Sequence, residues 1–143
     1  MDGYSYETTS FVRFRDVDAM QMANHAVIIS YLETARTEYM MELMGLESIR
    51  EIDYLMANVE CDYRSPARYG ETMRVGVRVS EFGETSFRMA YRVEEAESGR
   101  LVAEAQTVQV FFDYEEGSPM SAPAGFRQRV ASFDAGDDER EGL

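Results

Sequence analysis

The sequence predicts an α+β domain in which one long helix lies across one face of a curved, largely antiparallel five-stranded sheet. Three observations predict it. One early stretch, residues 24–44, repeats its apolar residues at three- and four-residue spacing. Later stretches alternate with period two and are rich in Val, Phe and Tyr. Their joints are mostly short Gly-containing turns, the connections that antiparallel strands use. With 143 residues, 45% of them apolar, the chain has material for a single core. We assign residues 1–134 to that domain, and residues 135–143, "AGDDEREGL", to an acidic tail expected to be disordered.

The elements follow in order. "TTSFVRFR" (8–15) reads as a strand, and residues 16–24 as a loop. Asn24 suits a helix N-cap. From there Ile28, Leu32, Ala35, Tyr39 and Leu43 form one apolar stripe, and Gly45 suits the C-cap. Residues 46–54 give no clear pattern. "ANVECDYRS" (57–65) reads as the second strand, and Pro66 and Gly70 mark a bend. In "ETMRVGVRVSEF" (71–82), Met73, Val75, Val77 and Val79 share a face opposite Arg74 and Arg78. "TSFRMAYRVEEAE" (85–97) repeats the pattern, with Phe87, Met89, Tyr91 and Val93 opposite Arg88 and Arg92. "RLVAEAQTVQVFFDY" (100–114) is the last and longest strand, and residues 124–133 read as a short closing helix. The arginine-bearing face of the sheet is expected to meet solvent or a second subunit.

Composition narrows the function. Asp and Glu total 27 against 14 basic residues, all of them Arg, for a net charge of −13. Such a surface repels nucleic acid and anionic membranes at long range. It also fits a protein kept soluble in high salt, where carboxylates stay hydrated and their repulsion is screened; a salt-loving source is the expectation. No apolar run approaches the ~20 residues of a membrane-spanning helix, and "MDGYSYETTS" lacks the pattern of a secretory signal, so the expected compartment is the cytoplasm. Cys61, the single cysteine, reads as a small strand residue. No Gly-x-Ser-x-Gly elbow, phosphate-cradling loop or His pair for zinc is present.

The stretch "FVRFRDVDAMQMANHAVIISYLETARTEYM" resembles the N-terminal segment of hotdog-fold acyl-CoA thioesterases of the 4-hydroxybenzoyl-CoA thioesterase type. The residues that carry the resemblance are Asp16-Val17-Asp18, then Asn24-His25, then Tyr31-Leu32-Glu33-Thr34-Ala35-Arg36. "CDYRSPARYGETMRV" (61–75) is similar to the aromatic-x-x-Pro-x-x-x-Gly-Asp hairpin of the same family, with Glu71 in place of the Asp. The chain departs at Gln21-Met22, where family members often carry Gly-His or Gly-Val. The resemblance implies a hotdog fold, an acyl-CoA substrate, no metal or cofactor, and a homodimer or dimer of dimers with sites at the subunit interface.

Thioester hydrolysis needs a base or nucleophile, an oxyanion stabiliser and room for the acyl group. Asp18 matches the family's catalytic aspartate and either activates water or attacks the carbonyl. Asp16 reads as a turn former. Asn24 caps the helix and positions groups at its mouth; His25 orients water, bonds Asp18 or protonates the leaving thiolate. The helix N-terminus favours the oxyanion, helped by an amide from residues 53–58. Glu33 is the alternative base, its plainer role being an ion pair with Arg36. Met20 and Met22 are candidate acyl-pocket residues, or core fillers. Arg64 and Arg68 are the first candidates for the phosphates of CoA, Arg88 and Arg92 the next. Two other functions stay open at this point: a hotdog hydratase or dehydratase using His25 with a carboxylate, and a non-catalytic module that binds acyl-CoA or acyl-carrier protein.

Overall fold

The computed structural model describes residues 1–136; the expected acidic tail falls largely on residues 137–143, outside the described residues. Strand β1 (Glu7–Phe11) is followed by a 3-10 turn (Phe14–Asp16) and helix α1 (His25–Met44). A second 3-10 turn (Ile49–Glu51) leads to β2 (Tyr54–Tyr63), β3 (Thr72–Phe82), β4 (Ser86–Glu95) and β5 (Leu101–Asp113). A two-residue strand β6 (Ser118–Pro119) and helix α2 (Phe126–Asp134) close the chain.

The five long strands run in the order β1-β3-β4-β5-β2, every neighbour antiparallel, and β6 adds a short pair to β5. This order explains the long helix. β1 and β2 lie at opposite edges of the sheet, so the chain between them must cross all five strands. Four interstrand spacings amount to ~19 Å, and a 20-residue helix extends ~30 Å, enough to cross obliquely and turn back. Asn24 opens α1 by accepting the Val27 N–H at 3.1 Å, and Gly45 ends it in the left-handed conformation (φ 65°).

Both sequence periods become one core. Ile28, Leu32, Ala35, Tyr39, Met40 and Leu43 of α1 are buried against Met73, Val75, Val77, Met89, Tyr91 and Val93 of the sheet. Phe87 meets Phe111, Phe126 and Tyr54 with ring centroids 5.0, 5.2 and 5.8 Å apart, so α2 seals the end of the sheet that α1 leaves open. The opposite face carries the expected arginines, held in a lattice of ion pairs: Arg74 to Glu94 at 3.1 Å, Arg92 to Glu94 at 2.7 Å and to Glu104 at 3.2 Å, and Arg88 to Glu81 at 3.3 Å.

Three details depart from the sequence reading. β1 ends at Phe11, because Arg13–Asp16 turns into a 3-10 bend rather than continuing the strand. β2 starts at Tyr54, three residues before the expected boundary, and absorbs the irregularity as a bulge between Met56 and Asn58. Arg36 makes no ion pair with Glu33. It turns inward, 7% exposed, and donates to the Tyr91 hydroxyl at 3.4 Å, while Glu33 faces solvent.

Candidate active site

The segment between the first 3-10 turn and α1 is a tight hairpin. Val17 bridges Ala23, the Asp18 N–H donates to the Met22 carbonyl at 3.1 Å, and the Gln21 N–H donates to the Asp18 carbonyl at 2.9 Å. Asp18 Oδ1 accepts the Met20 N–H at 2.8 Å, which fixes the carboxylate relative to its own turn. Gln21 takes φ 63°, a left-handed conformation uncommon for any residue but Gly. The chain thus holds, with a Gln, a backbone shape that Gly adopts more readily. Met22 pairs with Arg68, and the Ala23 N–H donates to the Ala67 carbonyl at 2.8 Å, stitching the hairpin to the β2–β3 connection.

The two aspartates part company here. Asp16 is buried, and its Oδ2 accepts the Arg13 N–H at 2.9 Å and the Tyr31 hydroxyl at 3.1 Å. Burial pushes its carboxyl up, but the hydrogen bonds from Arg13 and Tyr31 and the Arg13 charge outweigh burial and leave it below the ordinary carboxylate range. Burial, together with the same contact, pushes the Tyr31 phenol well up, so it remains a donor. Tyr31 stands on α1, so this clasp ties the entry of the hairpin to the helix that the hairpin leads into. Asp18 is exposed.

The helix mouth lies beside Asp18. Asn24 spends its side-chain oxygen on the cap. The N–H groups of His25 and Ala26, at the start of α1, have no intrahelical acceptor by position, and the first turn carries no acidic residue. One open depression is lined by Asp18, Met22, Ala23, Asn24, His25 and Ala26. A neighbouring cleft of about 290 Å³ is lined by Met22, Ala23, His25, Ile28 and residues 63–67, so His25 faces both. The imidazole stacks on Tyr63 with centroids 4.2 Å apart and an 18° interplanar angle, and the Tyr63 hydroxyl reaches the His25 carbonyl at 3.4 Å. Burial and the neighbouring Cys61 push the Tyr63 phenol up to about 12, which keeps it protonated and donating at neutral pH. Burial likewise pushes the Cys61 thiol up, consistent with a strand residue rather than a nucleophile.

Most of the sequence-chosen residues therefore converge. Asp18, Met22, Asn24 and His25 line one depression, and Met22, His25 and Arg64 line the adjoining cleft. Arg68 is opposite Met22 in the backbone pairing. Met20 is 72% exposed at the hairpin tip, so it fills no core gap. Arg64 is held by Glu104 at 3.3 Å and Asp62 at 3.7 Å, and Arg88 and Arg92 are consumed by the ion-pair lattice. Of the four arginines named for phosphates, Arg68 alone has no carboxylate partner for its guanidinium among the described residues. Glu71, the departure from the family hairpin, is structural: it accepts the Arg68 backbone N–H at 2.7 Å, and both carboxylate oxygens take Arg100 at 2.8 Å. Sequence reasoning missed Tyr63 as the wall behind His25. Its signal was present as the aromatic two residues before Ser65-Pro66 in the second motif. Among the described residues no group of three or more His, Cys, Asp or Glu is arranged to hold a metal ion.

A family model described as the thioesterase-like superfamily matches residues 12–130, the hairpin, the helix mouth and the sheet together. The chain belongs to the thioesterase-like superfamily. Its fold is the hotdog fold that the sequence led us to expect. A thioesterase from Thermus thermophilus, solved in complex with coenzyme A and zinc, is 31% identical and superposes with a TM-score of 0.85, covering 94% of this chain and 98% of that one. A 1,4-dihydroxy-2-naphthoyl-CoA thioesterase from Synechocystis, Slr0204, superposes with a TM-score of 0.78 over 90% of this chain and 97% of its own. At 21% identity that second likeness is one of fold. The uncharacterised protein YsmA of Bacillus subtilis (strain 168) is 25% identical over 118 residues, 82% of this chain and 80% of its own length. No helix among the described residues of this thioesterase-like chain is long and apolar enough to cross a membrane.

Proposed function

We propose that this chain hydrolyses acyl-CoA thioesters to free acid and CoA, with Asp18 as general base or nucleophile and the N-terminus of α1 as oxyanion stabiliser. The observation that carries the reading is the depression in which the Asp18 carboxylate and the first residues of α1 come together. A carboxylate there attacks the thioester carbonyl carbon, displacing the CoA thiolate, or takes a proton from the water that does so. The charge that builds on the carbonyl oxygen is drawn to the free N–H groups of His25 and Ala26. His25, braced by Tyr63, is placed to orient water or to protonate the departing thiolate. Asn24 holds the helix mouth open through its cap, and Met22 supplies an adaptable wall for the acyl group. The Thermus protein's complex with coenzyme A supports the substrate class.

The working unit in this reading is a cytoplasmic homodimer, with a dimer of dimers as the larger form. β2 is a ten-residue edge strand with an open hydrogen-bonding side, and Val59 and Tyr63 on it are each 39% exposed. A long open edge calls for a partner, and a second copy pairing β2 with β2 across a two-fold axis extends the sheet. Glu60 and Asp62 on the same strand make that pairing tighten with salt. Sedimentation at micromolar concentration checks it; a stable monomer in molar salt counts against it.

The decisive experiment is a thiol-release assay on a panel of acyl- and aroyl-CoAs with wild type and Asp18→Asn. The substitution keeps shape and removes the charge, and turnover is expected to fall about 100-fold or more with unchanged melting. Unchanged turnover would falsify Asp18 and move attention to Glu33. Tight CoA binding with no thiol release from any substrate would identify a binding module instead.

A further inference from the structure

On this acidic chain six of the thirteen described arginines are held in ion pairs. Arg64, Arg74, Arg88, Arg92 and Arg100 each have a carboxylate within 2.7 to 3.3 Å. Arg78 and Arg127 lie over the rings of Tyr4 and Phe82. Arg15, Arg50, Arg68 and Arg129 are exposed and enter no ion pair among the described residues, and of these Arg15 and Arg68 adjoin exposed aromatic rings. Both flank the same feature. Phe14, 78% exposed, and Tyr69, 57% exposed, meet edge to face with centroids 5.9 Å apart. Arg15 follows Phe14 in the 3-10 turn, and Arg68 precedes Tyr69 in the β2–β3 connection. The backbone of Arg68 pairs with Met22 of the hairpin that carries Asp18, so Tyr69 lies one residue from that pairing and Phe14 four residues before Asp18.

Two large rings left in water beside the reaction site, bracketed by unpaired guanidiniums, are the complement of a planar base carrying phosphates. Ring faces take a purine by stacking, and guanidiniums take phosphate through paired, charge-assisted hydrogen bonds. We propose that Phe14, Tyr69, Arg15 and Arg68 form the docking patch for the 3′-phosphorylated ADP portion of CoA, and that the patch makes the chain choose CoA thioesters over thioesters on an acidic carrier protein. The second half follows from scale. A carrier protein presents a broad acidic surface to a chain of net charge −13 and is repelled as a whole, whereas a nucleotide meets only the local pair of arginines. The proposal rests on the thioesterase reading for the substrate and deepens it at one end of the ligand.

The test uses two variants of the full chain, Arg15→Gln/Arg68→Gln and Phe14→Ala/Tyr69→Ala, with thermal melts as folding controls. Calorimetry with adenosine 3′,5′-bisphosphate and with free CoA reads the patch without turnover. Wild type is expected to bind both, and each variant to lose about 10-fold in affinity. With an acyl-CoA, KM should rise about 10-fold while kcat holds within about two-fold. With the same acyl group on pantetheine, which lacks the nucleotide, the variants should match wild type. Absence of nucleotide binding in wild type overturns the patch, and so does an equal loss on acyl-pantetheine. A carrier-protein thioester turned over better than the CoA thioester, and losing that advantage in the variants, overturns the proposal by making the patch a protein dock. Nucleotide binding that the variants abolish, in a wild type that hydrolyses no thioester, upholds the patch and removes the thioesterase reading alone.

Discussion

Asp16 and Asp18 are one residue apart and lead opposite lives. Asp16 is buried, accepts hydrogen bonds from Arg13 and Tyr31, and joins the 3-10 turn to α1. Asp18 is exposed, its carboxylate accepts one bond from its own turn, and it shares a depression with the helix mouth. The difference is made by backbone, not by residue type. The 3-10 bend aims position 16 into the protein, and the hairpin that begins at Val17 aims position 18 out of it. A reactive carboxylate has to keep lone pairs available and yet be held still. In the proposed reading Asp16 supplies the holding and Asp18 is left the lone pairs.

The largest effect that separates the two is on stability. Asp16→Ala strands the Arg13 N–H and the Tyr31 hydroxyl, both part-buried or buried donors, and should cost about 2 kcal/mol in denaturant unfolding. Asp18→Asn should leave stability unchanged. Acid sharpens the contrast. Asp16 is held below its ordinary range in the fold, so its stabilisation is complete above its unfolded value of ~3.9 and drains away as pH falls through the lower folded value. Wild type should therefore lose stability below about pH 4 more steeply than Asp16→Asn does. Equal acid slopes for the two proteins would mean that the clasp carries no ionised carboxylate.

The sequence made the helix, its caps and the alternating strands legible because each is set by local spacing. It misplaced the end of β1 for a physical reason. "VRFR" alternates apolar and charged residues as well as any strand, and what bends it is the contact of Asp16 with Tyr31, fifteen residues later. The site followed the same rule. Asp18, Asn24 and His25, which line one depression, could be grouped from the sequence because they are close in it. Tyr63 lies 38 residues from His25 and meets it only when β2 closes beside α1. Arg64 looked free for phosphate because its partner Glu104 stands on the neighbouring strand, 40 residues on. Charge availability depends on strand register, and register is not written in composition.

The next effect in size tests whether the helix mouth shares the work proposed for Asp18. His25→Asn keeps a hydrogen-bonding group at the start of α1 but cannot transfer a proton, and turnover should fall about 10-fold. Tyr63→Leu leaves the imidazole and removes its brace. As the chain's single histidine, His25 gives one set of ring resonances in proton NMR, shifted by the Tyr63 ring current at 4.2 Å. Those resonances should move toward the free-imidazole position in Tyr63→Leu. If turnover is untouched by both substitutions, His25 is a helix-start residue, and Asp18 and the backbone amides carry the reaction.

The smallest expected effect concerns the hairpin itself. Gln21 holds φ 63°, a conformation that strains an L-residue by about 1 kcal/mol. Gln21→Gly relieves the strain but gives the unfolded chain more freedom, worth about 0.4–1 kcal/mol in the other direction. The net should be a gain of about 0.5 kcal/mol or less, read as a small rise in midpoint denaturant concentration at constant slope. Activity decides what the strain is for. The Gln21 N–H to Asp18 carbonyl bond and the Met20 N–H to Asp18 carboxylate bond both lie within this turn, so a looser hairpin lets the Asp18 carboxylate wander. If rigidity at position 21 positions Asp18, Gln21→Gly is the more stable protein and the slower catalyst, with kcat reduced and KM unchanged. If kcat is unchanged while stability rises, the left-handed Gln21 is a tolerated cost of the hairpin and plays no part in aiming the carboxylate.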